Sequence, residues 1–342
     1  MRVLRRKVAV AAALIGAMAL SACGGGAGAD SGDGGSTTLS LIGFAVPEAA
    51  NKAIAEKWSA TDEGKGVGWQ TSYGASGDQS RAVEAGLDAD YVHFSLEGDV
   101  SRLVDAGLVA EDWKSGPNKG IVSNSVVVLV VRKGNPKNIQ GWDDIVKPDV
   151  GIITPNPGSS GSARWNILAA WGHVIATGGS EDDAKAFLEK FFTNAVALPG
   201  SGRDATTAFT SGNGDVLISY ENEAILARQN GEDFDYVVPD DTLLIENPGA
   251  VLEDADPKAQ QWLDFLLTKE AQTEFARTGF RPLDEGVEVE VEGANDPADP
   301  FPAPSKLLTI DDDFDGWSAA TDKFFDEEAG IVPAIQKATG KE

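Results

Sequence analysis

Cysteine, histidine and methionine are nearly missing from this chain of 342 residues, which has one, two and two of them. A single cysteine, Cys23, excludes an intramolecular disulfide. The histidines, His93 and His173, are far apart and lack cysteine or carboxylate partners at metal-ligand spacing. No metal site is expected from them, and a core or surface role is expected for each. Basic residues are scarce as well: 28 Lys and Arg stand against 54 Asp and Glu, a formal charge of −26. That balance argues against nucleic acid and acidic lipid surfaces, which both call for clustered Lys and Arg. Long apolar runs are absent too. The run from Val8 to Leu20 has thirteen apolar or small residues, short of the ~20 that span a bilayer as a helix. Neither a Gly-Lys-Ser/Thr phosphate loop nor a GxSxG elbow occurs.

The short apolar run follows Arg2, Arg5, Arg6 and Lys7, so 1–22 reads as an export signal. Leu20-Ser21-Ala22-Cys23 resembles the bacterial lipobox, which makes Cys23 a lipidation site and the mature N-terminus. Residues 23–37, mostly Gly, Ser, Ala and Asp, form a flexible tether. The expected location is the outer face of the cell membrane, held by lipid. Losing the basic leader takes the charge to about −30. Much of the acid lies late, in 283–300 and 311–315, as a solvated face.

About 300 residues remain after the tether, more than one core usually organises, so two lobes are expected. Thr38–Phe44, Ser125–Arg132, Gly151–Thr154 and Asp215–Tyr220 read as strands, the second a continuous β-branched run suited to a buried position. Pro47–Trp58, Ala163–Ile175, Asp182–Thr193, Glu221–Gln229 and Asp256–Thr278 read as helices. Alternation of this kind predicts an α/β protein with parallel sheets.

Four strand-to-helix junctions carry Gly, Ser or Ala: 44–47, 73–78, 158–162 and 200–203. Helix starts expose unpaired N–H donors at the positive end of a dipole, and glycine lets a ligand approach them. They can hold an anion without an ionised side chain. Each turn alone reads first as an N-capped helix, and the presence of four in one chain weakens that reading without displacing it. A calcium loop is only half present, since Asp311, Asp313, Asp315 and Gly316 fit but Asp322 stands where Glu is usual.

The stretches 131–172, SYGASGDQS (72–80), SGRDATTAF (201–209), GDVLISYENEA (214–224), GFRPLD (279–284) and LLTIDDDFDGW (307–317) resemble bacterial periplasmic sulfate/thiosulfate-binding proteins, the receptors of ABC importers. The likeness runs from Thr38 to the C-terminus in order. It implies a two-lobed periplasmic-binding-protein fold of type II, with 38–126 and 243–342 in lobe one and 127–242 in lobe two. It further implies a dehydrated sulfate held by the backbone N–H of Val46, Ser76, Gly161, Ser162 and Gly202 and the hydroxyl of Ser160. Tyr220 replaces the family's indole donor, Val46 an aspartate, and Ser162 the second of two glycines. Asp78 and Asp204 near these turns are expected to pair with Arg81 and Arg203 around the site.

Thiosulfate is the next candidate ligand, with molybdate and phosphate behind it. A monomer without cofactor, whose partner is a membrane permease, is the expected form. A cell-surface hydrolase is the alternative of another class, and it requires a nucleophile with a base in reach.

Overall fold

A computed structural model describes residues 37–342. The export signal, Cys23 and most of the tether lie outside the described residues. The first lobe opens with β1 (Thr38–Phe44), α1 (Glu48–Trp58), β2 (Gly68–Gly74), α2 (Ser76–Glu84), β3 (Tyr91–His93) and α3 (Glu97–Asp105). Next come β4 (Ile121–Arg132), α4 (Trp142–Ile145), β5 (Ile152–Ile153), α5 (Gly161–Ala176), α6 (Glu181–Asn194) and β6 (Ala195–Ala197). Then follow α7 (Gly202–Thr210), β7 (Val216–Tyr220), α8 (Glu221–Gln229), β8 (Phe234–Val237) and β9 (Asp241–Val251). The chain ends with α9 (Lys258–Leu266), α10 (Lys269–Arg277), β10 (Lys306–Leu308), α11 (Ile310–Asp313), α12 (Gly316–Ala320), a π-helical turn (Thr321–Phe325) and α13 (Ile331–Thr339).

The strands join in the order β2-β1-β3-β9-β4-β7-β5-β6, with β8 on β4 and β10 on β9. The pairings of β1 with β2 and β3, and of β5 with β6 and β7, are parallel. The long strands β4 and β9 depart from the expected parallel order. They pair antiparallel with each other from Ser123 to Val126 against Leu244 to Asn247. A chain that crosses between two lobes and returns must run in opposite directions on its two crossings. Past that ladder the strands separate: β4 continues to β7 and β8, and β9 continues to β3. Val126–Val131 is fully buried as its unbroken apolar run requires.

A further difference has a local cause. The helix expected over Asp256–Thr278 is two helices, because the Thr268 side chain accepts from Ala271 N and starts a second one. The C-terminal segments pack on α5 and α6 and also reach α3 and Lys119. Trp317 stacks edge-on to Trp165 at 4.7 Å, Phe324 meets Trp171 at 4.9 Å, and Lys323 pairs with Glu181. Nearer β8, Tyr236 Oη accepts from Asn295 N. Helix α5 is buried on nearly every face, and the aromatic groups of 314–325 cover what would otherwise be an exposed apolar surface. In the calcium-like stretch Asp311 and Asp313 fall on α11, Asp315 stands at the N-cap of α12 and Asp322 lies in the π-helical turn, so they do not share one twelve-residue loop.

Candidate functional site

The glycine-serine junctions all open towards one place between the lobes. A Cβ on Gly202 would lie 2.8 Å from Ser162 Oγ and 3.4 Å from Val46 Cγ2, so three separate segments meet there. A Cβ on Gly161 would lie 2.4 Å from Ser95 Oγ. Ser95 in turn accepts at Oγ from, or donates to, Tyr220 Oη at 2.7 Å, and its N–H donates to Ser76 Oγ at 2.9 Å. Beside them Gly77 N donates across the gap to Ser159 O at 3.1 Å. Contacts thus link Val46 and Ser162 with Gly202, and Ser76, Gly161 and Tyr220 with Ser95, and these residues and Ser160 are all buried.

Each junction folds this way for a local reason. Helices α2, α5 and α7 begin at Ser76, Gly161 and Gly202 after residues in extended conformation, so their first N–H groups face forward without intrahelical partners. Among the described residues the N–H groups of Val46, Ser76, Gly161, Ser162 and Gly202 meet no protein acceptor. Buried donors left unpaired are rare and costly. The Ser160 hydroxyl makes no bond to protein among the described residues either, whereas Ser76 Oγ is committed, donating to Asp99 Oδ2 at 2.6 Å. The positive ends of several helix dipoles add to this set of donors, with no cationic side chain among them.

The neighbouring charges are arranged around these helix starts. Asp78 pairs with Arg81. Arg203 does not pair with Asp204. It grips Glu223 through Nε at 3.0 Å and Nη2 at 2.8 Å, and reaches Val46 O at 3.4 Å. Asp204 stands at the third position of α7, where its carboxylate folds back to accept from the capping Ser201 Oγ at 2.8 Å. Local capping takes it out of reach of its neighbour's guanidinium. Burial pushes the Tyr220 phenol well above its ordinary value, while Ser162, Ser95 and Asn247 pull it the other way. It stays neutral and protonated at physiological pH.

Ser95 escaped the sequence reading. Its carbonyl accepts from Trp165 Nε1 at 2.9 Å and Asn247 Nδ2 at 3.1 Å, which fixes it from the second lobe and from β9. Phe94-Ser95 follows a strand and precedes a helix, as the other junctions do, but that strand is three residues long and carries little periodic signal.

The histidines take the roles expected of them. His93 is wholly buried and held near pKa 3 by desolvation, its ring between Asn51 Oδ1 at 3.2 Å and Ser123 Oγ at 3.3 Å. Burial lowers the His173 pKa, but the contacts with Asp241 and the charge of Asp143 outweigh it, so its value is raised. No helix among the described residues is long and apolar enough to cross a membrane.

A family model described as bacterial extracellular solute-binding protein matches residues 40–281. The chain belongs to that family. A sulfate-binding protein of Synechococcus elongatus is 41% identical over 348 residues, covering 98% of this chain and 97% of the relative. The solved structure of the sulfate-binding protein SubI from Mycobacterium tuberculosis is 44% identical, with a TM-score of 0.79, covering 85% of this chain and 100% of that one. A thiosulfate-binding protein of Pseudomonas aeruginosa is 36% identical over 243 residues, 68% of this chain and 73% of the relative. The two-lobed architecture of the solute-binding proteins is thus the architecture of this chain.

Proposed function

We propose that this protein is an extracytoplasmic sulfate receptor that closes on the dehydrated anion and delivers it to the permease of an ABC-type importer. The observation that carries the reading is the set of five N–H groups of buried residues, at neighbouring helix starts from separate segments, that have no protein acceptor. An anion that accepts from every side satisfies them all at once. Sulfate is fully ionised at neutral pH, and donors fixed in a dry cleft act at low effective dielectric. The surface carboxylates behind the charge of −26 are screened over about 10 Å at ordinary salt.

In this reading Val46 and Ser76 present N–H donors from the first lobe, and Ser160, Gly161, Ser162 and Gly202 donate from the second. The first lobe comprises 38–126 with the chain from 243 to about 284, and the second 127–242 with the C-terminal segments packed on it. Tyr220 can donate a single hydrogen and also accept, so it can serve the ligand only where Ser95 Oγ is the donor of their shared bond. Thiosulfate remains the alternative ligand, supported by the thiosulfate-binding relative.

A receptor without catalysis also fits better than a hydrolase. Among the described residues the serine-histidine contact is Ser123 with His93, and both are fully buried in the core. Its neutral imidazole cannot reach a ligand.

Calorimetric titration with sulfate, thiosulfate, molybdate and phosphate from pH 5 to 8.5 tests the assignment. Sulfate should bind tightly and independently of pH, and Ser160→Ala should weaken it by about 1.5–3 kcal/mol, the cost of a hydrogen bond to a charged partner. Phosphate binding that follows its protonation would show a carboxylate accepting from the ligand, and the sulfate assignment would fall. Cys23, outside the described residues, is proposed to carry the lipid anchor, on the strength of the lipobox-like Leu20-Ser21-Ala22-Cys23. Cys23→Ser should move the protein from the membrane fraction to the soluble one. Retention on the membrane would refute the anchor.

A further inference from the structure

A cluster of three guanidiniums lies beside the helix starts. A cavity of about 160 Å³ opens between α2, α3, the turn 157–160 and the start of α5, and Arg81, Arg102 and Arg164 line it. It shares Ser160 and Gly161 with the cleft, but neither Val46, Ser162, Gly202 nor Tyr220 borders it. The three guanidiniums come from both lobes, Arg81 and Arg102 from α2 and α3, Arg164 from α5.

Their own partners leave them undersatisfied. Arg164 donates through Nε to Pro157 O at 3.2 Å and lies 4.8 Å from the Phe325 ring centroid, with no carboxylate in ion-pair reach among the described residues. Arg102 Nε is shielded from solvent and has no hydrogen-bond partner, and its nearest carboxylate, Glu84, is 3.7 Å from Nη1. Arg81 holds the exposed Asp78. One carboxylate faces the cavity, Asp99, which is occupied by Ser76 Oγ at 2.6 Å. Burial lowers the Arg164 pKa most, the charge of Asp99 opposes that, and the charges of Arg102 and Arg81 lower it by less. Asp78, Glu84 and Asp99 offset the three charges in part, yet Arg102 Nε stays buried without an acceptor and Arg164 has no carboxylate partner among the described residues, which leaves guanidinium donors for an anion.

We propose that this cavity is a second, weaker binding site for a sulfate-class oxyanion, at the rim of the cleft. Guanidiniums present forked donors that match tetrahedral oxyanions two at a time. The volume accepts such an ion with a few waters, each taking about 30 Å³. Positive potential at the mouth counteracts the repulsion that the acidic surface exerts on an incoming dianion, and an occupant that touches α3 and α5 together bridges the lobes.

Titration of the purified full-length protein with sulfate at low ionic strength separates the two sites. One tight step and one weak step are expected. Arg102→Gln and Arg164→Gln should each weaken the weak step by about tenfold, and Arg102→Gln should leave the tight step unchanged. Arg102→Lys, which keeps the charge and loses the fork, should fall between. A single step in the parent protein overturns the proposal. So does a weak step that neither substitution moves, or a tight step that Arg102→Gln and Arg164→Gln reduce equally. A weak step without a tight one would instead overturn the reading of the cleft and leave the rim site standing.

Discussion

Arg281→Ala should destabilise the folded protein by about 3–5 kcal/mol, the usual cost of removing one partner from a buried ion pair. Arg281 grips Glu221 through Nε at 2.7 Å and Nη2 at 3.0 Å, and Glu221 is wholly buried. Desolvation raises the Glu221 pKa and the guanidinium opposes it. Without Arg281 the carboxylate must stay charged in an apolar setting or take up a proton, and either course costs stability. Arg281 also donates to Pro302 O at 3.0 Å, so its loss removes that contact as well. Glu221 directly follows Tyr220 and begins α8, so ligand affinity should fall together with stability. Urea denaturation measures the first effect and calorimetry the second. A paired change, Arg281→Met with Glu221→Gln, removes both charges and should recover most of the lost stability. If Arg281→Ala unfolds at the parental urea concentration, Glu221 has another partner and the account is wrong.

Gly161→Ala should act on binding instead. A Cβ there would sit 2.4 Å from Ser95 Oγ, 2.6 Å from Ser95 Cβ and 2.9 Å from Leu96 Cγ. The Ser95 hydroxyl could rotate away, but its Cβ moves only with the backbone. That backbone is held by Ser76 Oγ, Trp165 Nε1 and Asn247 Nδ2. Overpacking of this kind costs about 1–3 kcal/mol. The cost falls on the arrangement in which α5 meets Ser95, so sulfate affinity should drop about five- to 150-fold with little change in stability. Ser95→Gly in the same chain removes both of the nearest atoms and should restore part of the affinity. Parental affinity in Gly161→Ala would mean that Gly161 and Ser95 do not meet when ligand is bound.

Much of the site is written in short words of sequence. A strand followed by Gly, Ser or Ala and then a helix start is a matter of neighbouring residues, and the turns at Val46, Ser76, Ser160–Ser162 and Gly202 could be read directly. The cap at Thr268 was equally local, yet the apolar periodicity running through it concealed the break. Arg203 illustrates the opposite case. Its adjacent carboxylate, Asp204, is drawn back to the cap at Ser201, and Glu223, twenty positions on, takes the guanidinium. Nothing in the local pattern ranks those two acids.

The sequence by itself determined the α/β class and the strand-to-helix junctions, since backbone geometry near glycine and serine depends on residues a few places apart. The tertiary structure alone decided the antiparallel crossing of β4 and β9 and the packing of the C-terminal aromatics on α5. It also placed Ser95 against Gly161 and Tyr220, and gathered Arg81, Arg102 and Arg164 around one cavity. Those contacts join residues far apart along the chain, and which distant groups meet is settled by the burial of whole faces.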